Sequence, residues 1–164
     1  MYRLLQRTRG RYKRNNGTIT QTTASNDEAS IIQKGSTDTA LINQFMSQGD
    51  VATIDQESNL NTATIRQWGT TVTNASITQF GDTYNNATIT QISASNDKAS
   101  ITQNGYHNKA VIEQGILLGA SSSSTASINQ NGNNNSATIV QIGVNKTAAL
   151  IQTGNGNNVT VIQH

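Results

Sequence analysis

A short phrase that ends in glutamine recurs along almost the whole chain. It reads ATIRQ at 63–67, ASITQ at 75–79 and ATITQ at 87–91, and thirteen such phrases can be aligned on their last residue. Successive glutamines are 11 or 12 residues apart, except for one interval of 16 residues. An internal repeat of this kind indicates a solenoid, in which each repeat buries its apolar face against its neighbours.

Residues within each phrase alternate between two faces. In the segment NKAVIEQ, one face carries Asn108, Ala110, Ile112 and Gln114. This face hardly changes from phrase to phrase, whereas the other face varies freely. Alternation with period two, rich in Thr, Ile and Val, predicts strands, and the spacers rich in Gly and Asn predict tight turns. We therefore predict that the constant face meets copies of itself and that the variable face meets water.

Composition limits how such a chain can be held together. Only 34% of the residues are hydrophobic and 4% are aromatic, and the chain contains neither Pro nor Cys. A large apolar core is excluded, so that backbone and amide hydrogen bonds must contribute much of the cohesion. The absence of Pro removes the main obstacle to continuous strand pairing.

These observations predict an all-β fold, a two-sheet β-solenoid of the cross-β, amyloid type. It would have two strands per coil, 22–24 residues per coil and about six and a half coils. Strands of successive coils would pair about 4.8 Å apart, and each buried glutamine amide would donate to the next one. The glutamines predicted to form this inward ladder are Gln21, Gln33, Gln44, Gln56, Gln67, Gln79, Gln91, Gln103, Gln114, Gln130, Gln141, Gln152 and Gln163. The predicted inward apolar columns contain Ile19, Ile31, Ile42, Ile54, Ile65, Ile77, Ile89, Ile101, Ile112, Ile128, Ile139, Leu150 and Val161.

Two segments depart from the repeat. Residues 1–16 are predicted to form a basic, disordered N-terminal tail, and residues 17–164 the solenoid. Six of the eleven basic residues lie in this tail, and the rest of the chain has five basic and nine acidic residues. No aromatic platform or RNA-binding motif accompanies the tail, so no nucleic-acid partner is expected. The long interval predicts an inserted loop near 115–124, in which Leu117 and Leu118 form either a small contact patch or part of a flexible excursion.

Side chains that could carry out chemistry are few and scattered. His107 and His164 are far apart in the sequence, and Ser121–Ser124 has no base at a useful spacing. Asp50 and Asp55 are interpreted as charges on an outer face that oppose unwanted sheet contacts, not as the paired acids of a glycosidase. We therefore predict no enzyme activity, no catalytic or metal-binding residue, no cofactor and no small-molecule substrate.

The first and last phrases keep the repeat pattern, so the solenoid is predicted to offer unpaired strand edges. A Pro-free, uncharged edge is a template for another chain, and head-to-tail stacking that does not close gives a filament. The residues predicted to form the polymerisation edges are Thr18, Ile19, Thr20, Val159, Val161 and Gln163.

The spacing Gln-x-Gly-x-x-Asn-x-Ala-x-x-x-Gln runs whole from Gln103 to Gln114 and recurs from Gln130 to Gln141. This spacing resembles the curlin repeat of bacterial curli fibres. The resemblance implies a secreted subunit of an extracellular, cell-surface amyloid fibre that serves adhesion and the biofilm matrix. It also implies that the partners are the chain itself, other curlin subunits and an outer-membrane secretion apparatus. The family contains a major fibre subunit and a minor nucleator, and the sequence leaves both open. The basic start lacks an apolar region, so we do not expect it to act as a signal peptide; either the signal was removed or the natural start lies upstream.

A monomeric ice-binding or adhesive β-solenoid is the alternative from another functional class. An ice-binding face would repeat Thr-x-Thr in one outward register on every coil. Thr18 and Thr20 fit this requirement, and so do Thr88 and Thr90, but Arg66 interrupts the column.

Overall fold

The computed structural model describes residues 14–115 and 121–164, together with the backbone of residues 3–8. Leu117, Leu118 and most of the predicted tail lie outside the described residues. No helix occurs in the described ranges, and hence none that could span a membrane. The strands in chain order are β1 (Arg3–Thr8), β2 (Asn16–Thr22), β3 (Glu28–Gln33), β4 (Thr39–Phe45), β5 (Val51–Gln56), β6 (Thr62–Trp68), β7 (Asn74–Phe80), β8 (Asn86–Ile92), β9 (Ala94–Ser95), β10 (Lys98–Asn104), β11 (Lys109–Gln114), β12 (Ser121–Ser122), β13 (Thr125–Asn131), β14 (Ser136–Gln141), β15 (Thr147–Thr153) and β16 (Asn158–Gln163).

The long strands alternate along the chain between two parallel sheets. Sheet A has the order β1-β3-β5-β7-β10-β13-β15, and sheet B has the order β16-β14-β11-β8-β6-β4-β2. Neighbouring strands belong to successive coils and pair with equivalent residues opposite each other, as Ile31 with Ile54 and Ile54 with Ile77. The predicted fold class, an all-β two-sheet solenoid with two strands per coil, is confirmed.

The core between the sheets is thin and is built from alanine and isoleucine. The eleven predicted apolar residues from Ile31 to Leu150 are at most 6% exposed, and the alanine two residues before each of them is equally buried. Ile19 and Val161, on the outermost strands of sheet B, are partly buried and pack against this core. Identical side chains stack well because each meets a neighbour of its own shape.

The repeated glycine is required by the close approach of successive turns. Gly105 has φ +118° and Gly132 has φ +127°. A Cβ atom at either position would lie 2.1 Å from a carbonyl oxygen of the next coil, that of Gly132 or Gly154. Only glycine combines this backbone conformation with so short a distance, which explains its place in the repeat.

Strand β1 lies within the segment that the sequence predicts as a disordered tail. Its backbone pairs with β3, so that Gln6 lies opposite Ile31 and Thr8 lies opposite Gln33. Strand β2 also begins inside that segment, at Asn16. The basic charge of these residues predicts a solvated tail, but pairing with the free backbone edge of β3 depends on main-chain groups and not on side chains.

The long interval between glutamines leaves the register of the strands intact. After it, β13 pairs with β10, so that Ile101 lies opposite Ile128 and Gln103 lies opposite Gln130. The two-residue strands β9 and β12 pair with each other beside it. The additional residues therefore fall between β11 in sheet B and β13 in sheet A.

Candidate functional site: the amide columns and the open strand edges

Two columns of hydrogen-bonded glutamine side chains follow the stack, one in each sheet. In every contact Nε2 of one glutamine donates to Oε1 of the glutamine in the next coil. In sheet A, at distances of 2.7–3.0 Å, the column links Gln33, Gln56, Gln79, Gln103, Gln130 and Gln152. In sheet B, at distances of 2.7–3.1 Å, the column links Gln21, Gln44, Gln67, Gln91, Gln114, Gln141 and Gln163.

All amides of these columns except those of Gln21 and Gln163 are buried, and many use both of their N–H groups. Gln79 Nε2, for example, also donates to the backbone carbonyl of Thr62 at 3.0 Å, and Gln141 Nε2 donates to that of Thr125 at 3.1 Å. A buried amide without partners is destabilising, whereas a fully bonded one is tolerated. The second bond ties the end of a strand in one sheet to the start of a strand in the other, and this explains why the phrase ends in glutamine.

The columns have a direction, because every Gln–Gln bond donates towards the C-terminal end of the stack. The last amides, those of Gln152 and Gln163, therefore have no further glutamine in the described chain to which they can donate. At the opposite end, Gln33 Oε1 is buried and has no hydrogen-bond partner among the described residues. One end of the solenoid thus offers amide donors, and the other offers amide acceptors.

A column of asparagines lines the turn that leads from sheet A to sheet B. Asn85 Oδ1 accepts the backbone N–H of Asn108 at 3.1 Å, one coil further on. Asn108 Nδ2 donates to the carbonyl of Gly132 at 2.7 Å, and Asn135 Nδ2 donates to that of Gly154 at 2.8 Å. The asparagine of the repeat therefore bonds the glycine of the next coil. The alternation pattern placed Asn108 on the inward face, but it did not predict this function.

A column of aspartates lines the turn that leads from sheet B to sheet A. Asp27 Oδ1 accepts the backbone N–H of Asp50 at 2.9 Å, and Asp50 Oδ1 accepts that of Thr73 at 2.8 Å. Asp97 accepts the N–H of Ser124 in the same way, at 2.8 Å. The three carboxylates are at most 2% exposed, so sequence reasoning missed a buried acidic column.

The interpretation of Asp50 as a charge on an outer face is wrong. Its side chain is fully buried and accepts hydrogen bonds from the Thr70 hydroxyl and the Thr73 backbone. The alternation that places residues on faces holds inside strands, and Asp50 lies just before β5, in the turn. Asp55, by contrast, is partly exposed and lies 3.9 Å from the ammonium group of Lys34.

Burial raises the pKa of Asp50 and of Asp97, and the hydrogen bonds that each accepts oppose this shift in part. Because the pKa of the folded state lies above that of the unfolded state, folding takes up protons. The contribution of these groups to stability is then fully present below the unfolded pKa of about 3.9, and it is lost as the pH rises through the raised folded pKa.

Replacing Asp50 with asparagine is therefore expected to stabilise the protein at pH 7 by about 1 kcal/mol. An asparagine keeps the oxygen that accepts the N–H of Thr73, as Asn85 does in the opposite turn, and it removes the buried charge. The gain should vanish near pH 3, where Asp50 is itself neutral. Urea unfolding at the two pH values measures it, with Asp82→Asn, an exposed carboxylate, as the control. A loss of stability at pH 7 would contradict the assignment.

Strand β16 presents one face of its backbone to an open edge. The N–H of Ile142 in the turn after β14 donates to the carbonyl of Gln163 at 2.9 Å, so the backbone of Gln163 points towards β14. Successive backbone groups of a strand point to opposite sides. Val161 therefore also faces β14, and the N–H groups of Thr160 and Ile162 face the open edge.

Strand β2 presents the corresponding open edge at the other end of sheet B. The N–H of Met46 donates to the carbonyl of Thr22 at 3.1 Å, which directs the backbone of Thr22 towards β4. By the same alternation, Thr18 and Thr20 also face β4, and Ile19 faces the open edge. Of the predicted edge residues in this strand, Ile19 therefore carries the backbone groups that face the open side.

The two histidines lie in separate surroundings. His107 contacts Tyr84 and Tyr106, with ring centroids 5.0 and 4.1 Å apart, and His164 follows β16. Across residues 14–115 and 121–164, His, Asp and Glu side chains form no group of three or more that could hold a metal ion.

Comparison with known proteins adds one finding to this geometry. The family model described as the curlin-associated repeat matches residues 132–164, which span β14, β15 and β16. Comparison with curated proteins and with solved structures finds no match. The match confirms the resemblance predicted from the spacing of Gln, Gly and Asn, and the chain is therefore a β-solenoid whose last coils carry the curlin-associated repeat.

Proposed function

We propose that the chain is a structural subunit of an extracellular, curli-type functional amyloid fibre that serves adhesion and the biofilm matrix. Subunits add end to end, and each continues the parallel strand pairing of the one before. The observation that carries this proposal is the direction of the glutamine columns. Amide donors lie at the β15–β16 end and amide acceptors at the β2–β3 end, so the two ends of identical subunits are complementary.

The last coil carries further features that support end-to-end addition. Three apolar side chains of the last coil are exposed, namely Ile151 (76%), Val159 (41%) and Ile162 (58%). No coil follows this one, whereas the equivalent positions inside the stack have a coil on both sides. A second subunit would cover part of this apolar surface, and burial contributes about 25 cal/mol for each Å² of it. The curlin-associated repeat in these coils supports the same class of function.

Fibre formation by the purified protein tests the proposal. We expect filaments that bind thioflavin and that diffract at about 4.8 Å along their axis, the spacing between paired strands. Sonicated filaments should seed fresh protein and remove the lag phase, because a broken filament exposes complementary ends. A protein that stays monomeric at high concentration would contradict the proposal and favour the monomeric adhesive solenoid.

A role as the minor nucleator is the second candidate. It is favoured by the phrase Ala-x-Ile-x-Gln, which occurs in both sheets, at Ala126–Gln130 in sheet A and at Ala137–Gln141 in sheet B. Trace amounts of this protein should then shorten the lag phase of a curlin major subunit more than the reverse addition does. Transport would in either case require an outer-membrane secretion apparatus.

A further inference from the structure

Strand β1 occupies an edge for which its sequence is poorly suited. Inside sheet A, each inward isoleucine pairs with an apolar residue of its own column, and each glutamine pairs with a glutamine. In β1 the residue opposite Ile31 is Gln6, and the residue opposite Gln33 is Thr8. The glutamine column stops at this boundary, and Gln33 Oε1 remains buried without a partner among the described residues. Such an acceptor destabilises the structure that contains it.

The missing partner is a strand that carries a glutamine in register with Gln33. Strand β16 (Asn-Val-Thr-Val-Ile-Gln) has this sequence, and its outer edge pairs with no strand in the described chain. Placed on β3 in the common register, it would set Val161 opposite Ile31 and Gln163 opposite Gln33. Gln163 already donates to the carbonyl of Thr147, and its second N–H would be directed at Gln33 Oε1.

The backbone groups of the two edges also match. The N–H of Glu28 donates to the carbonyl of Asp50, and the N–H of Lys34 donates to that of Gln56, so these even-numbered residues face β5. Because successive backbone groups point to opposite sides, the backbone of Gln33 faces away from β5, towards the edge that β1 covers. On β16 the groups of Thr160 and Ile162 face outward. In a parallel pair, a residue that faces its partner strand bonds the two residues on either side of the one opposite it. Ile162 would therefore bond the backbone of Ile31 and Gln33.

We propose that β1 is a displaceable cap, which covers β3 in the free subunit and gives way to β16 of a second copy in the fibre. This inference rests on the proposed function and specifies the junction between subunits. Without β1, the described repeat strands number seven in sheet B and six in sheet A, and both the first and the last of them, β2 and β16, lie in sheet B. The strand that follows β16 must pair with β15 in sheet A, and in the second copy this strand is β2. The second copy therefore stacks after a half-turn about the fibre axis, and its sheet B continues sheet A of the first copy.

The half-turn junction continues both glutamine columns, from Gln163 to Gln33 and from Gln152 to Gln21. A junction that retained β1 would instead place β16 on β2 and β15 on β1. It would form the contact of Gln163 with Gln21 alone, leaving the donor of Gln152 and the buried acceptor of Gln33 without glutamine partners. The two junctions predict different neighbours for Ile162. With the cap displaced, Ile162 lies beside Ile32 of the other copy, and with the cap retained it lies beside Thr20.

Disulfide trapping between copies distinguishes these two junctions. The chain has no cysteine, so Ile162→Cys, Ile32→Cys and Thr20→Cys each introduce a single thiol. Residues opposite each other in paired strands are close enough for a disulfide. Mixed fibres of Ile162→Cys and Ile32→Cys, oxidised after assembly, should give a mixed disulfide dimer. Mixed fibres of Ile162→Cys and Thr20→Cys should not. The reverse result would overturn the inference and leave the proposed function intact, whereas a wild-type chain that forms no fibres would refute both.

A reversible lock on the cap provides the second test. The double variant Arg7→Cys, Ile32→Cys places thiols at paired positions of β1 and β3 in one molecule. When oxidised, it should elongate wild-type seeds at least about tenfold more slowly than when reduced, because the site for β16 stays covered. The same protein after reduction is the matched control, because it carries the same two substitutions and differs only in the disulfide. Equal rates for the oxidised and reduced forms would show that β1 need not move.

Discussion

Replacement of Ile162 by proline is expected to slow fibre elongation by about tenfold or more while leaving the subunit folded. The N–H of Ile162 faces the open edge of β16 and makes no bond to β14, so its loss removes a bond only from the junction. Proline also places its ring where the incoming strand must approach. Because the remaining strands keep all of their hydrogen bonds, the far-ultraviolet circular dichroism of the subunit should stay close to that of the wild type.

Elongation of wild-type seeds, followed by thioflavin fluorescence, measures this effect. The matched control is Ile162→Thr, which alters the same exposed side chain but keeps the N–H. The control loses part of the apolar contact at the junction but keeps the hydrogen bond of the N–H, so it should elongate clearly faster than the proline variant. If proline and threonine slowed growth to the same extent, the backbone of β16 would not be part of the growing edge.

Replacement of Gln91 by leucine is expected to lower the free energy of unfolding by about 2–4 kcal/mol. Gln91 accepts from Gln67 at 3.1 Å and donates to Gln114 at 2.9 Å, and all three side chains are fully buried. Leucine has a similar volume but no polar atom. The donor of Gln67 and the acceptor of Gln114 would both lose a partner where water cannot replace it.

Urea unfolding of the monomer, kept at low concentration, measures this loss. Thr90→Leu is the control, because Thr90 is adjacent in the same strand but lies on the outward face and is only partly buried. Its effect should stay within about 0.5 kcal/mol. Similar losses for the two variants would mean that the amide column contributes no more to stability than any strand position does.

The strands and their inward faces could be predicted because one short pattern decides them. In β8, Ala87, Ile89 and Gln91 alternate with Asn86, Thr88 and Thr90, and the same pattern recurs in each coil. A repeat of identical residues also fixes the register, since a slip by one residue would turn the apolar face outward and a slip by two would place isoleucine against glutamine or alanine. Local alternation and self-similarity therefore carry most of the information about this fold.

The two turn columns could not be predicted from the same pattern. Alternation ends with the strand and gives no direction for Asp50 or Asp97. The outer face predicted for Asp50 is wrong although a charged residue beside a strand is more often exposed than buried. Asn108 and Asn135 share a fixed distance from glycine, which predicts a turn, and the inward position of Asn108 does not show what it bonds. Their bonds to Gly132 and Gly154 run between coils, and such contacts appear only when the coils are stacked.

Strand β1 was missed for a different reason. It lacks the glutamine phrase, and its arginines Arg3 and Arg7 are typical of a solvated segment. An exposed backbone edge, however, recruits strands of many sequences, because the paired groups belong to the main chain. Prediction from side-chain pattern therefore finds the repeats and overlooks a strand held by its backbone.

The corner between β11 and β13 has a consequence for materials made from this chain. The interval there is longer than the others, yet Ile128 and Gln130 return to the common register. A foreign peptide grafted at this corner would leave the strand pairing untouched and would be displayed once in every subunit. Because the number of coils sets the length of a subunit, cargo would be spaced on the order of 30 Å apart along the filament axis, and the half-turn between copies would place successive cargoes on opposite sides. A multivalent array of that pitch would favour receptors whose binding sites have a matching separation.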